Sequence, residues 1–314
     1  MTTVDAPAAA AGRVQRAGER AAVARTARGG TGRWARRVGW RHLVALAAVA
    51  FALFPIVWIV SASVNPTGSL TSQRLVPDHP TLDNYRRLFD GSIPYGKWFV
   101  NSMVIAGGSA VGITVLSASA AYAFSRMRFR GRRGGILTIL LVQMFPQLLA
   151  FVAIFVIMTN IKDVFPSIGL GTRAGLMLVY LGGAMGVNTW LMKGFFDTIP
   201  IELDESAKVD GATHTQVFVK IILPLVAPIL AVVGLLSFIL LLNDFILASA
   251  VLGQGDPDNF TLSVGLFRFL SDRFNARWGL FAAGALLAGV PVVVLFQFLQ
   301  RYIVSGLTQG AVKG

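Results

Sequence analysis

The side chains that could do chemistry are few and scattered. None of the 314 residues is cysteine, which excludes disulfides and thiolate metal sites. The histidines, His42, His79 and His214, fall in separate segments, which argues against a metal centre. Residues 91–97 (GSIPYGK) match the opening of a phosphate-binding loop. Trp98, however, stands where a Mg²⁺-binding Ser or Thr is required, and no strand precedes the match. It is read as coincidence, so no ATPase belonging to the chain itself is visible and no catalytic residue is assigned. What remains are polar groups within long apolar runs: Asn188, Asn243 and Asp244. A carboxylate at membrane depth is costly unless it faces protein or water, which makes Asp244 a candidate for lining a solute pathway. An Asp satisfied by water or a helix end is the alternative reading. For Asn188, beside Gly182, Gly183 and Gly186, helix packing is favoured over a place beside the pathway.

The densest polar interval lies between two apolar runs, at residues 198–228 (TIPIELDESAKVDGATHTQVFVKIILPLVAP). Its local pattern is that of two short helices. Thr198 is placed to cap the first, with Pro200 in the opening turn and Glu202 near the positive end of the helix dipole. Leu203 and Ala207 are four apart and so share a face. Gly211 follows Asp210 where the helix must stop, free to take positive φ. Thr213 caps the second helix, with Gln216 in capping-box position. Pro224 and Pro228 lead into the next apolar run. The five acids Asp197, Glu202, Asp204, Glu205 and Asp210 suit a surface made for a protein partner.

The elements that must position these residues are membrane spans. The chain is 54% hydrophobic and only 14% charged, with a mean hydropathy of +0.65. A soluble domain carries far more charge, and several runs reach the roughly 20 residues that cross a bilayer. The expected fold is an all-α polytopic membrane protein with six spans, near residues 43–60, 99–124, 136–158, 174–192, 225–248 and 278–298. The second is rich in Gly, Ala and Ser, which permit close helix packing in lipid. Gln143 and Pro146 interrupt the third. Nine arginines against two acids precede residue 42, out of a net charge of +13, and five more arginines occupy residues 126–133. Such clusters fix topology and place both termini and the polar elbow in the cytoplasm, a better reading than nucleic-acid binding. Residues 1–38 are expected to be a disordered Arg/Ala-rich tail, residues 39–304 the membrane domain with its elbow at 198–224, and residues 305–314 a cytoplasmic tail. Within 251–277, the last outer loop, residues 262–270 are expected to hold a short interfacial helix.

The elbow resembles the coupling motif of ABC-importer permeases, E-A-A-x-x-x-G followed by an apolar residue and Pro. Here it comprises Glu205, Ser206, Ala207, Asp210, Gly211, Ala212, Phe218 and Pro224, with Ser206 where Ala is usual. The endings AYAFSRMRF (121–129) and QRYIVSGLTQGAVKG (300–314), with QMFP (143–146) and TLSVG (261–265), are similar to the six-span permease subunits of maltose/maltodextrin-type sugar importers. The resemblance implies one half of a heterodimeric pathway in a bacterial plasma (inner) membrane, surrounded by lipid. The implied partners are a second permease subunit, a cytoplasmic ATPase dimer that holds ATP and Mg, and an extracytoplasmic sugar-binding protein. This chain would bind no cofactor. Leu203, Ala207 and Phe218 would supply docking energy to the ATPase. The tail residues Gly306, Leu307, Thr308, Gly310, Val312, Lys313 and Gly314 would reach the ATPase dimer. The loop of Gly253, Gln254, Gly255, Asp256, Pro257, Asp258, Asn259 and Phe260 would reach the binding protein. Other sugars such as trehalose, and a self-sufficient secondary transporter, are the competing readings. No internal repeat supports the latter.

Overall fold

The structure, a computed structural model, describes residues 38–66, 75–183, 185–271 and 276–311. Every regular element among them is helical: α1 (Trp40–Ser63), α2 (Asp83–Phe89), α3 (Tyr95–Arg126), α4 (Arg132–Gln143), α5 (Gln147–Val164), α6 (Arg173–Gly183), α7 (Met185–Phe196), α8 (Glu202–Val209), α9 (His214–Leu225), α10 (Ala227–Asn243), α11 (Ile246–Leu252), α12 (Leu262–Phe267) and α13 (Trp278–Ala311). The Arg-rich tail expected at 1–38 lies outside the described residues apart from Val38. The chain divides into two units, residues 1–59 and 60–314.

The first unit contributes the body of α1. This helix has 24 residues and a mean hydropathy of 2.7 over its most apolar stretch, none of which is buried. Uniform apolarity over that length is the pattern of a helix that crosses a bilayer.

In the second unit α3 is the central helix. It packs against α6, α7, α10 and α12, and α10 packs on α13. Its buried side is built from small residues, with Ala106, Ser109, Ala110, Ser117, Ala118 and Ala121 all nearly inaccessible. Small side chains let neighbouring backbones approach in a solvent that offers no hydrophobic drive. Gly108 and Gly112 abut the tips of Met177 and Leu181 on α6. Two apolar cores sit at opposite ends of α3. One gathers Tyr95, Trp98, Leu176, Leu252, Phe260 and Leu262. The other gathers Tyr122, Phe196, Ala207, Val217, Ile222 and Val226. Ala106, Ala110, Phe238 and Leu242 form a smaller cluster of their own.

Among the described residues, three helices are long and apolar enough to cross a membrane singly: α1, α3 and residues Trp278–Tyr302 of α13. The uninterrupted helices expected over 136–158, 174–192 and 225–248 are broken. The first stops at Gln143 and resumes after Pro146, whose ring and missing N–H disfavour a continuous helix. The second divides into α6 and α7, bent by 51°, and α9 and α10 meet at 78°. The last of the three ends at Asn243 because Asp244 takes an extended ψ of 123° and starts α11 instead. Within the last outer loop, where a short helix was expected over 262–270, α12 occupies Leu262–Phe267. α2 was not foreseen. It anchors the end of α1, with Asn84 donating to the carbonyls of Ser63 and Asn65 and Tyr85 to the Ser63 hydroxyl.

Candidate functional site

The polar elbow is the helix–turn–helix that its sequence describes. α8 ends on Gly211 at φ +82°. Gly211 N–H donates to Lys208 O at 3.0 Å and Ala212 N–H to Ala207 O at 2.9 Å. That nested pair is the Schellman closure, which only a left-handed residue permits without strain. Thr213 and Gln216 form the reciprocal capping box, at 2.8 and 3.3 Å. α9 widens into a π turn over Phe218–Ile222 just before Pro224, whose ring would clash with the carbonyl of a regular turn. At the other end the expectation fails. Thr198 does not cap α8, since its hydroxyl donates to Phe195 O at 2.7 Å and closes α7. α8 opens four residues later with no side-chain cap.

The inward face of α8 is Asp204 and Ala207, three apart, and the outward face carries Leu203, Glu205, Ser206, Val209 and Asp210. Ala207 is therefore in the core and Phe218 stacks on Tyr122 at 4.8 Å between centroids. Neither presents a docking surface. Leu203 is exposed, as are Ile201 and, at 87%, Val209. Pro224 and Gly211 are exposed and Ala212 is half-buried.

The anchors of the elbow come from the end of α3. Arg126 Nε lies 2.8 Å from Asp204 Oδ2, and both side chains are under a tenth exposed. The Nε–H is not aligned on the carboxylate, so the contact is one of opposite charges. Arg126 Nη2 also donates to Ile199 O at 2.7 Å. Ser125 Oγ donates to Asp197 Oδ1 at 2.6 Å and Lys193 Nζ to Asp197 Oδ2 at 2.5 Å. Burial pushes the Asp197 carboxyl up, but the bonds from Lys193 and Ser125 and the charges of Lys193 and Arg132 outweigh it and hold it below the usual range. Asp204, expected on a partner-facing surface, is thus an internal group. A polar cavity of about 390 Å³ beside it is lined by Arg126, Arg128, Glu205, Lys208 and His214.

At the opposite end, Asp244 is half-buried and its carboxylate is occupied. Tyr180 Oη donates to Oδ2 at 2.7 Å and Ala248 N–H to the same oxygen at 2.9 Å. This favours the helix-end reading over a free pathway carboxylate. Asn243 is exposed and bonds its own helix at Ile239 O, and Asn188 is half-buried on α7. The 253–260 loop is fastened rather than free. Trp98 Nε1 donates to Pro257 O at 2.9 Å. Asn101 Nδ2 donates to Asp258 O and Phe260 O at 2.7 and 3.0 Å, and Lys97 pairs with Asp258. Phe260 is fully buried under Arg268. Gly253, Gly255 and Asn259 are half-buried, which leaves Gln254, Asp256 and Pro257 as the exposed tip. Lys97, the lysine of the 91–97 match, is thus paired with Asp258 of the loop. α13 continues to Ala311, so Gly306, Leu307, Thr308 and Gly310 are helical; Val312, Lys313 and Gly314 lie outside the described residues.

Residues 110–309 match the family described as the binding-protein-dependent transport system inner membrane component. The chain belongs to this family. Among curated members, it is 46% identical to the galactooligosaccharides transport system permease protein GanQ of Bacillus subtilis, over 88% of this chain and 96% of that protein. It is 39% identical to the maltose/maltodextrin transport system permease protein MalG of Escherichia coli K12, over 87% and 95%. A solved bacterial ABC transporter for import of the acidic polysaccharide alginate has a chain that superposes with a TM-score of 0.71 at 25% identity, covering 86% of this permease and 98% of that chain. The matched region of this permease holds the elbow, the Arg126 end of α3 and most of α13. Sequence reading took Arg126 for a topological charge and missed its bond to the elbow. The signal available was its place as the last residue of a long small-residue helix, one turn after the buried Tyr122.

Proposed function

We propose that this permease is one half of the membrane pathway of an ATP-driven importer of neutral oligosaccharides, of the maltose/maltodextrin kind. The elbow α8–α9 is read as the cytoplasmic coupling element. It would dock on the ATPase through the outward Leu203, Val209 and Gly211 surface, with Ile201 at its edge. ATP-driven closure of the ATPase would move the elbow, and the elbow would move α3 and α10. The exposed tip of residues 254–257 would meet the extracytoplasmic binding protein, and a second permease subunit would complete the pathway. Six spans with both termini cytoplasmic fit this reading, with α4–α5 and α6–α7 as interrupted spans. ATP and Mg would be held by the ATPase partner. The observation that carries the proposal is the elbow itself, a Schellman turn and capping box presenting apolar and acidic side chains outward in a member of this family.

The similarity to GanQ supports a second substrate reading, galactooligosaccharides, with the mechanism unchanged. Uptake of labelled maltose, maltotriose, trehalose and galactotriose, in a deletion strain with and without the chain restored, tests both. Loss of maltose and maltotriose alone supports the first reading, and loss of galactotriose alone the second. Loss of trehalose alone changes the sugar but keeps the architecture. No loss of any of the four overturns the oligosaccharide assignment.

A further inference from the structure

The elbow is held to the membrane helices by a pair of buried charges beside the apolar contacts of Ala207, Val217 and Phe218. Arg126 is the last residue of α3, a helix of 32 residues, and Asp204 is an inward residue of α8. Their side chains are 8% and 4% exposed at a separation of 2.8 Å. The same guanidinium bonds Ile199 O, so one side chain grips both α8 and the segment leading into it. The preceding residue, Ser125, grips Asp197 a few residues upstream. Arg132 bonds the carbonyls of Phe124 and Ser125 at 2.6 and 2.9 Å, which caps the end of α3. A buried ion pair seldom stabilises a fold more than well-packed apolar residues of the same volume, because desolvation offsets the attraction. Its distinctive property here is a two-point hold, since one guanidinium keeps the Asp204 carboxylate by charge at 2.8 Å and the Ile199 carbonyl by a hydrogen bond at 2.7 Å. Apolar contacts such as those of Ala207, Val217 and Phe218 would let α8 slide.

We infer that the Arg126–Asp204 pair is the joint that transmits elbow displacement to α3. The inference rests on the coupling reading above and deepens it. Arg126 and Asp204 are positioning residues that touch neither sugar nor nucleotide. Through them the elbow drives α3 directly, in addition to α10, to which α9 is continuous through the bend at Val226.

The test uses the assembled importer (this chain, its permease partner, the ATPase and the binding protein) in liposomes, with sugar uptake and ATP hydrolysis measured together. Arg126→Met and Asp204→Asn each leave a buried group without its partner and are expected to lower the yield of assembled importer, and in the importer that assembles, sugar delivered per ATP falls about tenfold, the scale at which coupling residues act. Arg126→Lys keeps the charge but loses the second bond to Ile199, and is expected to fall between. The double substitution Arg126→Met/Asp204→Leu guards against simple misfolding, because an apolar pair restores packing without restoring the two-point hold on Asp204 and Ile199. It is expected to match wild-type thermal stability and still deliver little sugar per ATP. Wild-type sugar per ATP in that double variant overturns the inference. Crosslinking of wild-type Val209→Cys to the ATPase separates the two levels. Its absence removes the coupling reading, whereas its presence with full coupling in the variants removes only the joint.

Discussion

Gly211 sits at φ +82° with open space where a Cβ would stand, so a substituent there would meet nothing within the chain. Ala at this site costs only the left-handed strain, about 1–2 kcal/mol. Arg adds bulk on the face assigned to the ATPase. Gly211→Ala is expected to keep most sugar uptake, and Gly211→Arg to abolish it while inserting normally, as read by uptake and by membrane-fraction immunoblot. Equal uptake by the two would leave no role for the outward surface. Asp197 supplies a pH dependence. Its carboxyl is held below the usual range in the folded chain, so its contribution is complete above the ordinary carboxylate pKa and is lost as pH falls through the lower folded value. Protease resistance of the 197–213 segment should therefore be flat near neutrality and fall only in acid, and Asp197→Asn should remove that acid step. Gly211, Thr213 and Gln216 were legible in the sequence because their roles are local. Arg126 and Asp204 were not, because an eight-residue polar helix does not reveal which side it buries, and an arginine after a span reads as a topological charge whether or not it turns inward.

Elements show the same division. Apolar length announced α1, α3 and α13, but hydropathy does not register an interruption. The break after Gln143 was marked by Pro146, and the one at Asp244 by a lone carboxylate. That carboxylate works as a helix cap, which predicts how it fails. Asp244→Asn retains an acceptor for Ala248 N–H and Tyr180 Oη and is expected to sustain uptake. Asp244→Ala leaves the Tyr180 hydroxyl without that partner, at about 1–3 kcal/mol, and should lower the yield of the assembled permease. A proton-coupled transporter would show the opposite, with Asn as damaging as Ala. The 253–260 loop offers a second element-scale prediction. Asn101 bridges α3 to two loop carbonyls, so Asn101→Ala should loosen residues 256–260 by about 1–3 kcal/mol. Hydrogen exchange would read this as faster exchange confined to that loop and the start of α12. Unchanged exchange would mean that Trp98 and the Lys97–Asp258 pair alone suffice to hold it.

For the molecule as a whole, the two ends of α3 carry opposite duties. The helix has 32 residues, about 48 Å at 1.5 Å per residue, against about 30 Å of hydrocarbon. Its last turn grips the elbow and its first turn grips the 257–260 segment, so those two features must face opposite sides of the membrane if α3 crosses it. Five arginines at 126–133, and the nine that precede residue 42, would place the elbow end in the cytoplasm by the positive-inside trend. Because the natural chain contains no cysteine, single-cysteine labelling can test this without a modified background. Arg130→Cys and Val209→Cys should react with an impermeant maleimide only in inverted vesicles, and Gln254→Cys only in intact cells. Should Val209→Cys and Gln254→Cys label from the same side, α3 would not cross the membrane and the elbow could not relay force from the cytoplasm. Should all three labels reverse together, α3 would still span but the arginine bias would have pointed the wrong way, and the ATPase would have to be sought at the 253–260 end. The expected pattern ties the side of the elbow, fixed by charge, to the side of the loop, fixed by buried hydrogen bonds, through one rigid helix.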